Sequence, residues 1–207
     1  MCAKRFMAVG WGGSRNAALS RIERRRGILA LAIVLVAGGA GCGRAPVAPP
    51  PPAPTLRLDL VDHAELMARV QAHAGKVVVL DCWSTSCPPC IREFPGLVRL
   101  AAAHPQAVAC LSLSFDYEGI GSPEEAVTRV REFLVSVDAG RIENLLSREE
   151  ADAMYETLAL DSVPAVYVWR PDGSLARRFD DDDAKRRLGR PFTYADVDAE
   201  VRVLLAE

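Results

Sequence analysis

Residues 79–90 read VLDCWSTSCPPC, in which Cys87 and Cys90 form a Cys-x-x-Cys motif. The apolar run KVVVL at 76–80, just before this motif, is typical of a strand that is buried on both faces. The residues from 87 to 104 fit a helix. A Cys-x-x-Cys motif at the junction of such a strand and a helix indicates either a metal site or a dithiol redox pair.

The redox pair explains more of the sequence than a metal site does. A structural zinc site takes four ligands, usually from two such pairs. The sequence has no second Cys-x-x-Cys motif, and its three histidines show no ligand spacing. Cys87 at a helix start gains from unpaired backbone N–H groups and the helix dipole, which lower the pKa of a thiol. Cys90, one turn later, is close enough to form a disulfide with it, and we predict no metal site.

Strands and helices alternate along the rest of the chain. We predict strands over 56–60, 76–80, 107–115, 165–169 and 174–179, and helices over 63–73, 87–104 (interrupted at Pro95), 123–137, 147–158 and 194–205. The last two strands are joined by Arg-Pro-Asp-Gly at 170–173, which is typical of a tight turn. Alternating elements followed by a hairpin and a helix predict an α/β fold with a mixed sheet.

This pattern resembles the thioredoxin superfamily, and most closely its exported, membrane-tethered TlpA-type thiol–disulfide reductases. Asp81 at the strand end and Trp83, four residues before the first cysteine, stand as in thioredoxin. Glu93 and Pro95 complete the TlpA-type pattern Cys-Pro-Pro-Cys-x-x-Glu-x-Pro. The resemblance covers residues 56–207.

Two further segments carry the resemblance. Val163 and Pro164 precede a hairpin strand, which matches the superfamily's cis-proline loop. Residues 116–147 resemble the helical insertion that separates this branch from plain thioredoxin. The resemblance therefore implies a thioredoxin-like fold, with a central mixed β-sheet flanked by helices and a helical insertion.

The resemblance also implies the roles of the reacting groups. Cys87 would attack a substrate disulfide to form a mixed disulfide, and Cys90 would resolve it, with this redox-active disulfide as the sole redox group and no cofactor. Asp81, buried beneath the pair with its pKa raised by desolvation, would exchange a proton with Cys90. The alternative is an aspartate that only ends the strand.

Other residues would bind the substrate or support the active-site helix. The Val163 backbone would pair with a substrate peptide as a β-strand does, beside Pro164. Trp83 would contact the substrate, and a purely core position is its alternative. Glu93 and Pro95 would support the helix, in which the family's proline causes a kink; a solvated position is the alternative for Glu93.

The sequence departs from the family pattern at two positions. Ser86 replaces an aromatic residue, so the surroundings of the first cysteine are less apolar. Cys82 replaces another, and strand alternation places it on the face opposite Asp81. We predict that Cys82 and Cys110 are small core residues. The acidic run 180–183 is predicted to be a solvated loop rather than a cation site.

The N-terminal residues have the pattern of an export signal. Residues 1–42 contain seven Lys or Arg and one acid, and the basic segment 21–26 precedes a short apolar run. Ala40, Gly41 and Cys42 resemble the end of a bacterial lipobox, whose cysteine is acylated and becomes the mature N-terminus. A simple signal peptide or an uncleaved signal anchor is the alternative.

The remaining residues divide into a tether and a domain. Six prolines within 46–54 favour an extended polyproline conformation. We thus predict a lipoprotein-type signal peptide at 1–41, a Pro-rich tether at 42–55 and a thioredoxin-like domain at 56–207. The chain after residue 42 carries 18 basic and 26 acidic side chains, which argues against a nucleic-acid partner.

These observations predict an exported, lipid-anchored protein-disulfide reductase whose domain lies in the periplasm or another extracytoplasmic space. The resemblance implies oxidised extracytoplasmic proteins as substrates, including apocytochromes in cytochrome c biogenesis, and a membrane electron donor for re-reduction. A dithiol oxidase or isomerase is the alternative within enzymes. A metal-delivery or binding module on the same fold is the alternative outside them.

Overall fold

The computed structural model describes residues 55–207 of the chain. The predicted signal peptide at 1–41, its lipidation site Cys42 and all but the last residue of the predicted tether at 42–55 lie outside the described residues. Among the described residues, no helix is both long enough and apolar enough to cross a membrane.

Six strands form one mixed sheet in the order β1-β4-β3-β2-β5-β6. The strands are β1 (Leu58–Val61), β2 (Val77–Trp83), β3 (Val108–Ser114), β4 (Glu143–Ser147), β5 (Ala165–Trp169) and β6 (Leu175–Phe179). The first four in that order are parallel, and β5 is antiparallel to both β2 and β6. Every residue of β2 and β3 is buried, as the apolar runs predict for central strands.

Helices cover both faces of the sheet. They are α1 (His63–Ala72), α2 (Pro88–Ala103), α3 (Pro123–Ser136), α4 (Ala151–Leu158), α5 (Asp181–Arg187) and α6 (Tyr194–Leu204). One apolar core lies between the sheet and α2, α3 and α6, and includes Phe94, Val130 and Val201. The other lies against α1 and α4, and includes Leu66 and Met154. This arrangement is the predicted thioredoxin-like fold.

The predicted insertion contains a strand as well as a helix. Helix α3 was expected, but β4, which lies between β1 and β3, was not. The sequence does not predict this strand, because the polar residue Asn144 interrupts its apolar pattern. In the structure Asn144 is nevertheless buried. The Asn144 amide donates to the backbone oxygens of Ala139 and Ile142 and accepts from the Ser112 hydroxyl. These bonds satisfy the amide, so the buried strand tolerates it.

Helix α2 is continuous, which corrects the predicted interruption at Pro95. The proline lies inside the helix and lacks the N–H that would bond one turn back. The rest of the helix packs its apolar face into the core through Phe94, Leu97 and Leu100. That packing outweighs the loss of one hydrogen bond.

The acidic run 180–183 is not a solvated loop, which corrects a second expectation. Asp180 caps α5 by accepting from the backbone N–H of Asp183 at 2.7 Å. The Asp183 side chain is buried and pairs with Arg177 at 2.8 Å and with Arg187 at 2.9 Å. Three acids in the first turn and three bases in the last also suit the helix dipole.

Candidate active site

The two cysteines of the motif lie at the N-terminus of α2. Cys87 is the N-cap residue and is partly exposed, whereas Cys90, in the first turn, is only 3% exposed. The two are joined as a disulfide, with their Cα atoms 5.3 Å apart. A partner can therefore reach the sulfur of Cys87, while that of Cys90 faces the core.

The surroundings of the Cys87 sulfur favour a negative charge. The backbone N–H of Cys90 donates to it at 3.3 Å. Pro88 and Pro89 occupy the first positions of the helix, where their missing N–H groups cost nothing. An N–H donor and the helix terminus both stabilise a thiolate when the pair is reduced.

The loop that leads into α2 is held by a buried aspartate that sequence analysis did not identify. Asp116 is 7% exposed and accepts from the backbone N–H of Thr85 at 3.0 Å, and from the Thr85 hydroxyl. The hydroxyl of Ser114 and the Arg129 guanidinium also donate to it, at 2.6 and 3.2 Å. An acid directly after a predicted buried strand was the available signal. Asp116 thus fixes the loop that carries Cys87.

The predicted proline loop lies against the first cysteine. The peptide bond between Val163 and Pro164 is cis. The Val163 carbonyl oxygen is 3.6 Å from the Cys87 sulfur. The fold thus brings together residues 76 positions apart, where β2 ends and β5 begins.

Asp81 is a buried carboxyl group in β2, on the face that carries α2 and α6. It is 4% exposed, and its Oδ2 accepts from the Tyr194 hydroxyl at 2.5 Å. Burial raises the pKa of Asp81 to about 7, the Tyr194 hydrogen bond lowers it, and the charge of Glu93 raises it. A carboxyl group with this pKa can exchange protons near neutral pH.

Glu93 and Tyr194 connect α2 to α6. The Glu93 carboxylate accepts from the backbone N–H of Tyr194 at 3.0 Å. Glu93 is therefore not freely solvated. Its carboxylate satisfies a backbone N–H at the start of α6. Tyr194 was not identified from sequence because its partner Asp81 is 113 residues away.

Trp83 lies in the core, the position that sequence analysis gave as the alternative to a substrate contact. Its side chain is 0% exposed, so no bound molecule can touch it in this conformation. The indole packs against the rings of Phe94 and Phe133, with centroids 4.9 and 4.8 Å away. These contacts anchor the end of β2 beneath the loop to α2.

Cys82 and Cys110 are free and buried, as predicted for core residues. Cys82 belongs to the core on the α1 and α4 face, opposite the face on which Asp81 meets Tyr194. Burial raises the pKa of the Cys110 thiol to about 12 and that of Cys82 well above its usual value. Both thiols therefore stay protonated and unreactive near neutral pH.

A cleft of about 380 Å³ opens beside the Cys87 sulfur. It is lined by Ser84, Ser86, Cys87, Phe115, Glu118, Glu150, Ala151, Asp152, Tyr155 and Val163. The Phe115 and Tyr155 rings stack with centroids 4.6 Å apart. Glu118, Glu150 and Asp152 form no ion pair within residues 55–207. The cleft is thus aromatic on one side and negatively charged.

Within the same residues, no group of three or more His, Cys, Asp or Glu side chains is arranged to hold a metal ion. Within the acidic run, Asp180 pairs with Arg178 and caps α5, and Asp183 pairs with Arg177 and Arg187. The site thus contains a cysteine pair that can be a dithiol or a disulfide, and a buried carboxyl group on the sheet face that carries α2. A charged cleft lies beside the first cysteine.

Comparison with known proteins gives a distant likeness. The chain is similar to Thioredoxin-like protein YneN of Bacillus subtilis (strain 168), with 26% identity over 106 residues. The match covers 51% of this chain and 57% of that protein, so the chain spans just over half the length of this curated relative. No protein-family model matches the chain.

Similar solved structures include a secreted disulfide oxidoreductase of Mycobacterium tuberculosis, homologous to E. coli DsbE. It is 20% identical with a TM-score of 0.48, over 65% of this chain and 86% of that chain. StoA from Bacillus subtilis is 15% identical with a TM-score of 0.42, over 61% and 82%. The pneumococcal exposed lipoprotein thioredoxin Etrx1, from Streptococcus pneumoniae strain TIGR4, is 15% identical with a TM-score of 0.49, over 65% and 90%.

Proposed function

We propose that this chain, whose described part has a thioredoxin-like fold, is a thiol–disulfide oxidoreductase that reduces protein disulfides. One observation carries the proposal: Cys87 and Cys90 pair at the N-terminus of α2 with one sulfur accessible and the other buried. In dithiol exchange, the accessible sulfur can attack the substrate disulfide and the buried sulfur can resolve the mixed disulfide.

The exchange proceeds in two steps. The Cys87 thiolate attacks one sulfur of the substrate disulfide, forms a mixed disulfide and releases the first substrate thiolate. Cys90 then loses its proton and attacks the Cys87 sulfur, which releases the second substrate thiolate and leaves Cys87–Cys90 oxidised. Two electrons pass from the dithiol to the substrate, and each released thiolate takes up a proton.

The surrounding groups assist each step. The Cys90 N–H donor and the helix terminus stabilise the attacking Cys87 thiolate. Asp81, with its pKa near 7, accepts the proton of Cys90 in the second step. A substrate strand pairs with the backbone at Val163, whose carbonyl already lies beside the Cys87 sulfur.

Cysteine variants test the proposal directly. We expect Cys87→Ser to abolish the reduction of insulin disulfides, because no other described thiol is accessible. Cys90→Ser keeps the attacking sulfur, so it accumulates mixed disulfides that appear as a mass increase. Cys110→Ala is the control and keeps wild-type turnover. Wild-type turnover by Cys87→Ser would disprove the dithiol mechanism.

The direction of exchange in the cell depends on the reduction potential of the Cys87–Cys90 couple. We propose the reductive direction, which the resemblance to TlpA-type reductases supports. A redox titration followed by thiol alkylation and mass spectrometry measures the potential. We expect a value below about −200 mV, on the side of thioredoxin rather than of a strong oxidant at about −120 mV. A value near that of the oxidant would favour the oxidase alternative.

We also propose that the protein is exported and anchored by a lipid on Cys42, with its domain in the periplasm or another extracytoplasmic space. The supporting observations are the basic and apolar segments before Cys42 and the prolines after it. Mass spectrometry of membrane-extracted protein should find an acylated N-terminal Cys42, which Cys42→Ala lacks. An intact mature peptide that spans Gly41 and Cys42 would contradict lipidation.

The partners proposed for this location are oxidised extracytoplasmic proteins, apocytochromes among them, and a membrane electron donor that re-reduces the pair. Disulfides are maintained outside the cytoplasm, so a reductase there needs electrons from across the membrane. Cys90→Ser, expressed in its native host, should trap exported cysteine proteins through Cys87. Trapping of cytoplasmic proteins alone would contradict this location.

A further inference from the structure

Tyr194 is a buried tyrosine whose hydroxyl contacts the active-site carboxyl group. It is the first residue of α6 and is 5% exposed. Its hydroxyl donates to Asp81 Oδ2 at 2.5 Å, a short distance for such a bond. None of the two-step chemistry described above requires this residue.

The fold holds the Tyr194 ring in one place. Gly96 of α2 lies directly against it, and a Cβ atom at Gly96 would come within 2.2 Å of the Tyr194 Cβ. The Tyr194 backbone N–H donates to Glu93 at 3.0 Å. Asp196 accepts from the Thr193 N–H at 2.9 Å, which fixes the start of the helix. Only a glycine at position 96 leaves room for this approach of α6 to α2.

The hydrogen bond acts on the charge of Asp81. A donor to a carboxylate stabilises the ionised form, so the Tyr194 hydroxyl holds the pKa of Asp81 below the value that burial would set. Glu93, on α2, acts in the opposite sense. Cys82 on β2 and Cys110 on β3 are neutral thiols, and β5 presents the apolar residue Val166 opposite Asp81. Tyr194 is thus the group that favours the carboxylate.

We propose that Tyr194 is a positioning residue that holds Asp81 as an oriented carboxylate, ready to accept the proton of Cys90. This inference rests on the proposed function, because it assigns Tyr194 to the second step of that exchange. Tyr194 would act only through Asp81, since its hydroxyl bonds to the carboxyl group and to no sulfur.

Tyr194→Phe removes the hydroxyl and keeps the ring against Gly96. Stopped-flow reduction of dithiobis(nitrobenzoate) by the reduced full chain shows both steps, since attack and resolution each release one thionitrobenzoate. We expect the pH profile of the second release to move up by about one unit, which makes resolution roughly tenfold slower below neutral pH. The two proteins should converge at high pH, where the carboxyl group is ionised in both.

Two controls separate this effect from a general defect. Tyr167→Phe removes another partly buried hydroxyl, which donates to the Leu158 backbone instead, and should leave the pH profile unchanged. In the Asp81→Asn background, Tyr194→Phe should have no further effect on resolution, because its target is already gone.

A direct readout does not depend on turnover. Carbon-13 NMR of the Asp81 carboxyl group in the oxidised chain should show its titration midpoint at higher pH in Tyr194→Phe. An unmoved midpoint, or an equal slowing at every pH, would overturn the inference and leave Tyr194 a packing residue. If the exchange itself were absent in wild type, the proposed function would fail, whereas the NMR titration would still report on the hydrogen bond.

Discussion

Asp81 is a carboxyl group placed in an apolar core, and its protonation is the sensitive point of the site. Burial raises the pKa of Asp81 to about 7, while the Tyr194 hydroxyl opposes that rise. The same residue has two consequences: it can move protons near neutral pH, and it costs stability whenever it is ionised.

Asp81→Asn should slow the second release of thionitrobenzoate more than the first. The attacking Cys87 thiolate has its own stabilising donors, whereas buried Cys90 needs a base to lose its proton. Asparagine keeps the shape but cannot accept the Cys90 proton, so we expect a loss of about 10²-fold in the rate of resolution. The control is Asp59→Asn, the same substitution at an aspartate that pairs with Arg69. If Asp81→Asn matched the wild type in the rates of both releases, Asp81 would have a structural role only.

Asp81→Asn should also flatten the dependence of stability on pH. In the folded chain the pKa of Asp81 is raised to about 7, whereas an unfolded aspartate loses its proton near the ordinary pKa of 3.8. Stability contributed by the proton is therefore present below the unfolded value and is lost as pH rises toward the folded one. The wild type should lose up to about 4 kcal/mol more than the variant over this interval.

Urea unfolding of both oxidised proteins at about pH 4 and about pH 8 measures that difference. Other titrating groups are common to the two proteins and cancel in the comparison. A variant whose free energy of unfolding falls as steeply as that of the wild type would show that folding does not raise the pKa of Asp81.

At the scale of elements, α5 shows how a highly charged segment becomes ordered. Arg177 on β6 lies beneath the helix, where its guanidinium reaches Asp183 at 2.8 Å and Glu200 of α6 at 3.3 Å. The same guanidinium lies 4.1 Å from the centroid of the Phe179 ring. One arginine on a strand thus ties two helices to the edge of the sheet.

Asp183→Asn should destabilise the fold by roughly 2–3 kcal/mol, because it leaves the largely buried Arg177 with one carboxylate fewer. Asp182→Asn is the matched control on the neighbouring position. The Asp182 side chain is 71% exposed and meets only Arg186 at 3.9 Å, so its loss should cost little. Chemical unfolding of the two variants compares them. Equal stabilities would mean that the buried ion pair contributes nothing.

At the scale of the whole molecule, the cleft beside Cys87 is assembled from distant segments. The loop after β2 supplies Ser86, the loop after β3 supplies Glu118, and α4 supplies Asp152 and Tyr155. Burial raises the pKa of the Tyr155 hydroxyl, and the Asp152 and Glu118 carboxylates raise it further. The negative charge therefore extends over the approach to the reactive sulfur.

This charge should make the reduced chain discriminate between disulfide reagents. We expect cystamine, a cation, to react with Cys87 about tenfold faster than the anion dithiodipropionate at low salt, after each rate is scaled to a neutral thiol. The ratio should fall toward one at about 0.5 M salt, because salt screens exposed charges. Rapid alkylation of Cys87 at timed intervals measures both rates.

Neutral variants of the cleft provide the control. Replacing Glu118, Glu150 and Asp152 together by their amides should remove most of the discrimination. Replacing Asp172, Asp198 and Glu207, which do not line the cleft, makes the same change in net charge and should leave it. An equal effect of both triple variants would trace the discrimination to net charge rather than to the cleft.

Much of the fold could be predicted from local patterns. The apolar runs of β2 and β3 identify central strands, because only buried strands carry several apolar residues in succession. The prediction failed at β4, where Asn144 interrupts the apolar pattern, and at the acidic start of α5. In both cases partners from other segments, Ser112 and Arg177, satisfy the polar group.

The sequence by itself determined the order of the elements other than β4 and α5, and the position of the cysteine pair, because strand runs, a helix start and a two-residue gap are local features. The tertiary structure alone decided that Tyr194 meets Asp81, that Asp116 holds the Thr85 loop, and that Trp83 is closed off from solvent. Those contacts join residues far apart in the chain. Their hydrogen-bond partners and burial exist only once helices and strands have packed, and it is burial that gives the Asp81 carboxyl group its chemistry.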